Sequence, residues 1–296
     1  MKKILFIALS AISIVVAGLL VVACTPDAAN TPDSQMHKMA QYSAPEQDSA
    51  AVWEAFFADV EALNAKYASQ SRMVVDPSHS SYDELTTLHQ LITYEDVEGA
   101  QIGWEVACNI GSTPNNVLGT TAAYSAYRSY IAYQHPDTTS NDTTNTGITI
   151  RIHHPNTILN LEFEEHPCVV IGKSHNQLLA SMIHSNYNTE GSSSEPQFQD
   201  FLERYEELYA PISSSYKSRF LSQIRDARIP HLNANVTTAN ENFKNRTSLM
   251  PIASMRAYTD EYLEIVENTS LNSYDKMQMS IFASVAYYSG ALWVVE

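Results

Sequence analysis

The residues best suited to catalysis lie in the stretch "IGKSHNQLL", residues 171–179, where His175 and Asn176 are adjacent and Cys168 precedes them. Cysteine, histidine and asparagine are the residue types of cysteine hydrolases, in which a thiolate attacks and a histidine relays the proton. The spacing argues against this chemistry. Adjacent helical residues point about 100° apart, so Asn176 is not expected to orient His175. Because His175 also shares a helix face with apolar residues, we predict a hydrogen-bonded core histidine.

A second group has residue types that suit zinc. His153 and His154 are followed by the run Glu164, Glu165 and His166, and imidazole and carboxylate groups are zinc ligands. However, the chain has no H-E-x-x-H, no H-x-H and no paired C-x-x-C spacing. We therefore predict no catalytic residues, no metal and no cofactor. The alternative is a hydrolase or metal-dependent enzyme that uses His175 or the His153/His154/His166 group.

The first residues have the layout of a secretory signal. Lys2 and Lys3 precede an uncharged run, residues 4–23, that ends in Val21-Val22-Ala23-Cys24. This ending resembles the lipobox of bacterial lipoproteins. The resemblance implies that Cys24 carries a diacylglyceryl thioether, that residues 1–23 are removed, and that the new amino group takes a fatty acid such as palmitate. The alternative is an uncleaved membrane helix, because twenty apolar residues can span a bilayer.

The resemblance also implies a location and predicts an anchored domain. Two or three acyl chains on one residue hold a protein stably on a membrane. In such lipoproteins an Asp after the Cys is associated with retention in the inner membrane, whereas this chain has Thr25. We therefore expect an extracytoplasmic, lipid-anchored protein, on the outer membrane if the cell has two. Residues 24–48 are polar and Pro-rich, which predicts a disordered tether of roughly 25–30 Å.

The charge limits the partners. The chain has 17 Lys and Arg against 33 Asp and Glu, a formal net charge of −16. Removal of Lys2 and Lys3 with the signal takes this to −18, because residues 1–23 contain no acid. Such acidity argues against nucleic acid, whose phosphates need cationic side chains, and against adsorption to anionic lipid. We expect a membrane link through the lipid alone and an envelope protein as partner, with the oligomeric state open.

The cysteines leave two alternatives. With Cys24 lipidated, Cys108 and Cys168 remain, an even pair in an oxidising compartment. A disulfide between them would close a loop of about sixty residues and stabilise the fold by about 4 kcal/mol in the chain-entropy model. Cysteine is also among the most buried residue types, so two separate buried thiols are equally consistent with the sequence.

Helical periodicity predicts a mostly α fold. Apolar residues recur at spacings of three and four in about eight stretches, beginning with residues 48–68 and ending with residues 274–295. The last stretch is apolar on nearly all sides, which is typical of a central core helix. The segment that starts at Arg228, "RIPHLNANVTTANENFKNRTS", is interpreted as a long polar connection. We predict a bundle of six to eight helices in a single domain, residues 49–296.

Small residues line one face of the second predicted helix. Gly99, Gly103, Ala107 and Gly111 fall four residues apart, and such a line lets another backbone approach closely. A membrane-active glycine zipper is one interpretation, but acidic residues interrupt the segment too often for a bilayer. We therefore predict a tight contact with the next helix, residues 113–134.

One β-hairpin is predicted near the middle of the chain, after a polar loop at residues 135–147. Aliphatic residues alternate with polar ones in residues 148–152 and again in residues 159–163. A four-residue loop between them would place both aliphatic rows on one face. We therefore expect a hairpin at about residues 148–163 that packs on the helices.

A wider resemblance rests on three short segments. They are Gly172-x-x-His175-Asn176-x-x-Leu179, the Gly99/Gly103 stretch, and Ser284-Val285-Ala286-x-x-Ser289. Together they resemble a group of uncharacterised secreted bacterial proteins. The group has no known function to carry over. The resemblance implies only that His175 and Asn176 are a shared structural or binding feature.

Overall fold

A computed structural model describes residues 49–68, 80–111, 113–134, 150–152, 160–163, 166–185, 195–208, 211–227, 232–247 and 250–295. Within these ranges the fold is mostly helical, with nine helices. They are α1 (Ala50–Lys66), α2 (Ser80–Ile110), α3 (Pro114–Gln134), α4 (Pro167–His184), α5 (Glu195–Leu208), α6 (Ser214–Ile224), α7 (Ala234–Thr247), α8 (Ile252–Asn268) and α9 (Ser273–Leu292). The predicted α class is confirmed, whereas the predicted count of six to eight helices is too low. The signal segment, Cys24 and the tether lie outside the described residues.

The last helix, α9, lies at the centre of the core. It packs against α2, α4, α7 and α8, and sixteen of its twenty residues are buried. A helix surrounded in this way needs apolar or small residues on every side. The predicted core helix is therefore confirmed, although it ends at Leu292 rather than continuing to residue 295. Within the described part of the chain, no helix is both long enough and apolar enough to cross a membrane.

The line of glycines holds α2 against α3, as predicted. A Cβ on Gly99 would lie 3.0 Å from the Cα of Ser125, and a Cβ on Gly103 would lie 3.2 Å from the Cα of Thr121. Both neighbours belong to α3. Arg128 of α3 then forms an ion pair with Glu95 of α2 beside this contact. The small residues thus allow α2 and α3 to pack with their backbones close together.

Gly111 has a different structural role from Gly99 and Gly103. Its φ is 67°, and its N–H donates to the carbonyl of Cys108 at 3.1 Å. A residue in this left-handed conformation directly after the last helical residue is a common way to end a helix, and glycine adopts it without strain. Gly111 therefore terminates α2 and does not extend the line of small residues.

Helix α7 corrects the sequence interpretation of residues 228–248 as a polar connection. Asn and Thr dominate this helix and are poor helix formers. Tertiary packing compensates, because Val236, Ala239 and Phe243 form a narrow buried stripe at helical spacing. Asn233 caps the helix by accepting the N–H of Val236 at 2.9 Å. Three apolar residues in a polar segment are too weak a signal to predict this helix.

The predicted hairpin is also wrong. Strand β1 (Ile150–Ile152) is present, but it pairs antiparallel with the C-terminal strand β2 (Trp293–Val295), in the register Ile150↔Val295 and Ile152↔Trp293. Residues 160–163, expected in the second strand, are not in a strand, and the N–H of His166 donates to the carbonyl of Phe163. Alternation identifies a strand but not its partner, and this partner lies more than 140 residues away. Residues 153–159 lie outside the described residues.

Candidate functional site

Three helices meet where α4 lies on α9. A Cβ on Gly172 would lie 2.7 Å from the ring atom Cδ2 of Tyr288 and 2.9 Å from Oγ of Ser284. Any larger residue at position 172 would therefore force the two helices apart. One turn earlier, Ser284 donates its hydroxyl to the carbonyl of Cys168 at 2.9 Å. This close approach positions the next turn of α4, which carries His175 and Asn176.

His175 and Asn176 are both buried in this contact, with 0 % and 2 % of their surface exposed. The Asn176 amide Nδ2 donates to the carbonyl of Tyr288 at 2.7 Å. Its Oδ1 lies 2.9 Å from Nδ1 of His175. Since Oδ1 of a carboxamide can only accept, His175 Nδ1 carries the proton of this hydrogen bond. The prediction of a hydrogen-bonded core histidine is thus confirmed.

The third helix supplies a carboxylate. Oδ1 of Asp96, on α2, lies 3.4 Å from Nε2 of His175, and both side chains are 0 % exposed. Neither carboxylate oxygen accepts a hydrogen bond from another group among the described residues. We call Asp96, His175, Asn176 and Tyr288 the three-helix junction, because they connect α2, α4 and α9.

Asp96 and His175 face each other without solvent between them. Among the described residues, neither the carboxylate oxygens nor Nε2 has another polar group at hydrogen-bonding distance, so each is the nearest charged or polar partner of the other. Such a buried pair gives little net stability, but breaking it by removing one partner is strongly destabilising. The arrangement fixes the packing of three helices, and its reactive atoms face no solvent.

One sequence inference about this site is wrong. Adjacent residues of a helix point about 100° apart, and from this angle we predicted that Asn176 could not orient His175. In the structure both side chains turn towards each other, and the resulting hydrogen bond is 2.9 Å long. Side chains with two rotatable bonds can overcome the difference between Cβ directions. Asn176 therefore orients His175 and is itself held by α9.

The thiol of Cys168 contacts His166 rather than His175. His166 is the N-cap of α4, and its Nδ1 accepts the N–H of Cys168 at 3.3 Å. Sγ of Cys168 lies 2.8 Å from the same nitrogen. The other ring nitrogen, Nε2, lies 3.8 Å from a carboxylate oxygen of Glu267. The imidazole is therefore neutral, with its hydrogen on Nε2.

The ionisation of this Cys–His pair argues against a reactive thiol. Complete burial raises the pKa of the Cys168 thiol well above its usual range. Burial also lowers the pKa of His166, and the Glu267 carboxylate opposes that effect. Nucleophilic cysteines need the opposite environment, partly exposed and positive. The pair is best described as a cap that begins α4.

No disulfide joins Cys108 and Cys168 in the structure. Cys168 is completely buried, and Cys108 is partly exposed at the edge of the core. The sequence left open either a Cys108–Cys168 disulfide or two separate thiols, and the structure has the separate thiols.

The proposed zinc ligands are only partly described. His166 caps a helix, whereas His153 and His154 lie outside the described residues. Across the ranges that the structure covers, no group of three or more His, Cys, Asp or Glu side chains is arranged to hold a metal ion.

The sequence also contains a Ser-x-x-Lys spacing at Ser214 and Lys217, the first turn of α6. In serine acylases of this pattern the lysine assists the serine. In this protein the Lys217 ammonium donates to Oε2 of Glu206 at 3.0 Å, and Ser214 is exposed on the surface. An ion-paired lysine beside an exposed serine does not form a nucleophilic site.

No protein-family model, no curated protein and no solved structure matches this chain. The functional interpretation therefore depends on the residues themselves. Sequence reasoning missed two members of the junction, Asp96 and Tyr288. Asp96 lies one helical turn before Gly99, on the face that contacts other helices, and that position was the only signal that could have revealed it.

Proposed function

We propose that the protein is a bacterial lipoprotein, anchored to the cell envelope through lipid on Cys24, that acts as a non-enzymatic binding, scaffold or accessory component. The observation that carries the anchor is the order of the first residues: two lysines, an apolar run, and Val21-Val22-Ala23-Cys24. The lipid supplies the membrane attachment that a net charge of −16 disfavours electrostatically.

The burial of the three-helix junction supports a non-enzymatic role. A catalytic group must touch its substrate, and the side chains of Asp96 and His175 are completely enclosed by helices. The hydrogen bonds of the Asn176 side chain, to His175 and to the carbonyl of Tyr288, connect one part of the fold to another. The runner-up, a hydrolase or metal-dependent enzyme, would need His175 to be reachable or the His153/His154/His166 group to assemble.

Incorporation of labelled palmitate tests the anchor. The wild-type protein and the matched variant Cys108→Ala should both take up label in growing cells, because each retains Cys24. Cys24→Ala should take up none, since it lacks the thiol that receives the diacylglyceryl group. Label in Cys24→Ala, or no label in the wild type, would contradict the proposal.

Membrane sorting tests the expected location in a host with two membranes. The wild type should fractionate with the outer membrane, because Thr25 rather than Asp follows the lipidated cysteine. Thr25→Asp should move the protein to the inner membrane, whereas Thr25→Ser should leave it in place. Equal distribution of all three proteins between the membranes would contradict this part of the proposal.

A further inference from the structure

An open groove of about 590 Å³ is lined by residues of α1 and α7, and its volume is in the range of small-molecule sites. Each helix contributes one face, since the lining residues on it recur about one helical turn apart. We call it the amide groove, after the residues that define its chemistry: Phe57, Asn64, Thr238, Asn242, Asn245 and Arg246.

An aromatic ring forms the apolar part of the amide groove. Phe57 is partly exposed, and its ring centroid lies 5.9 Å from that of Trp53 and 5.4 Å from that of Phe56. Both neighbours are buried, so they hold the ring in place, and Val60 continues the apolar surface beside it. The face of an aromatic ring carries partial negative charge, which suits the weakly positive C–H groups on one face of a sugar ring.

Asn64 is held in position by two neighbouring helices. Its Oδ1 accepts the hydroxyl hydrogen of Tyr258, on α8, at 2.8 Å, and its backbone carbonyl accepts a hydrogen from the Arg246 guanidinium at 3.3 Å. The bond to Tyr258 orients the carboxamide and leaves Nδ2, a donor, as the other polar atom of this groove-lining side chain. A group fixed in this way loses little conformational freedom when it binds a ligand.

The groove face of α7 consists of residues that weaken a helix. Thr238, Asn242 and Asn245 are exposed there, although Thr and Asn are poor helix formers. By contrast, Glu241 and Lys244 do not line the groove, are good helix formers and pair one turn apart. A local choice that opposes the fold is expected at functional positions. The composition of α7 is thus evidence for a ligand that is independent of the groove's shape.

The charges in the amide groove balance. Among the described residues that line it, Glu61 and Arg246 are the charged ones, one acid and one base, in a chain whose formal net charge is −16. A site for an ionic ligand presents an excess of the opposite charge. Carboxamides and hydroxyls instead both donate and accept hydrogen bonds, as the hydroxyl groups of a neutral sugar do.

We propose that the amide groove binds a neutral sugar, with one face of the sugar ring on Phe57 and hydroxyl groups hydrogen-bonded to Asn64 and Asn242. Thr238 adds an acceptor, because its own hydroxyl hydrogen is donated to the carbonyl of Ala234 at 2.8 Å. This ligand goes beyond the proposed function, which names none. Its binding requires no lipid anchor, so the two proposals can fail separately.

Saturation-transfer NMR on the full chain, in a detergent without sugar headgroups, tests the proposal. The neutral probes are maltotriose, cellotriose and tri-N-acetylchitotriose, and trigalacturonate is the charged comparison. At least one neutral probe should receive saturation at its ring C–H protons. Its affinity should change less than twofold between low and high salt, because salt screens charged contacts and this ligand makes none. Absence of transfer to all three neutral probes, or transfer to trigalacturonate alone, would overturn the proposal.

Substitutions on α7 separate binding from folding. Thr238→Ala in the groove and Thr237→Ala beside it are a matched pair, since both residues are exposed and each hydroxyl donates to the carbonyl four residues earlier. The affinity of Thr238→Ala for the bound probe should fall at least threefold, and that of Thr237→Ala should stay within twofold of wild type. Equal affinities of the two variants would count against the groove as the binding site and overturn the proposal.

Asn242→Ala gives a second, independent result. Its affinity for the sugar should fall at least fivefold, while the stability of the free protein stays unchanged or rises, because Ala is the better helix former. A purely structural role of Asn242 predicts no loss of binding. Wild-type affinity in this variant would therefore also overturn the proposal.

Discussion

Nε2 of His175 lies 3.4 Å from Oδ1 of Asp96, and helices cover both side chains completely. The two residues are 79 positions apart in the chain and belong to different helices. His175 Nδ1 donates to Oδ1 of Asn176, whose Nδ2 donates to the carbonyl of Tyr288, so these bonds and the Asp96 contact together connect α2, α4 and α9. A polar group buried in this way stabilises the packing only while every partner is present.

Loss of His175 should therefore destabilise the fold strongly. His175→Ala leaves the buried Asp96 carboxylate without the imidazole that it contacts, and removal of one member of a buried pair costs about 3–5 kcal/mol. Urea unfolding followed by tryptophan fluorescence measures this loss. A catalytic role would instead leave the midpoint of unfolding nearly unchanged.

The pair should also show energetic coupling. In a cycle of His175→Ala, Asp96→Ala and the double variant, the double variant should lose less stability than the sum of the single losses, by about 1–3 kcal/mol. The reason is that the second substitution removes the group that the first leaves unpaired. Strictly additive losses would contradict direct interaction.

Gly172 should not tolerate even one added methyl group. Its Cβ would lie 2.7 Å from the Tyr288 ring, so Gly172→Ala should lower the free energy of unfolding by about 1–3 kcal/mol. Helix propensity alone predicts the opposite sign, since Ala is favoured over Gly by about 1 kcal/mol.

Gly103→Ala is the matched control, because its Cβ would meet the Cα of Thr121 at the less severe distance of 3.2 Å. Its effect on chemical denaturation should be close to zero. If Gly172→Ala proved as stable as Gly103→Ala, α4 and α9 would not approach as closely as the structure shows.

His166 should make stability depend on pH. Burial lowers its pKa below the ordinary 6.5, so in this range the unfolded chain binds more protons than the folded one. The contribution of the cap is then fully present above about pH 6.5 and is lost as the pH falls through the pKa of folded His166. Unfolding measured in steps from pH 8 to pH 5 should show this decline.

His166→Asn separates the cap from other titrating groups. Asn is a good N-cap and does not titrate in this range, so this variant should retain α4 and lose the His166 part of the decline. The buried acids Glu98, Glu105 and Asp260, whose pKa values are raised mainly by burial, affect both proteins equally. Identical pH profiles would exclude His166 as the source.

The two thiols should differ in reactivity. Cys108 is partly exposed and Cys168 is buried with a raised pKa, so iodoacetamide should modify Cys108 first in the folded protein. Cys168 should react only after unfolding. Peptide mass mapping under non-reducing conditions distinguishes the outcomes, and failure of both residues to react after unfolding without reductant would reveal a disulfide.

Much of the fold was predictable because its helices have wide apolar stripes. Helix α1 was expected at residues 48–68 and occurs at Ala50–Lys66, with Trp53, Phe56 and Val60 buried as periodicity requires. Helix α7 escaped prediction because packing, and not propensity, stabilises its polar sequence. Strand β1 was identified correctly. Its pairing with β2 depends on how the segment after α9 returns to the middle of the chain, and the alternation of apolar and polar residues does not reveal that.

The junction was predictable only in part. The burial of His175 could be predicted because His175 shares a helix face with apolar residues. Its contact with Asp96 could not, because in the sequence Asp96 looks like the solvent-exposed acids around it. The three short segments used for the wider resemblance come together in space: Gly172 packs on Ser284, His175 contacts Asp96 beside the glycine line, and Ser289 donates to Thr93 at 3.3 Å. Their common feature in this chain is therefore one packed interface.

The intact mass of the detergent-extracted protein shows whether Cys24 carries a lipid anchor. We expect a chain that begins at Cys24, lacks residues 1–23 and carries the added mass of a diacylglyceryl group and a fatty acid. A mass equal to the unprocessed sequence would contradict it and would make residues 4–23 a membrane helix.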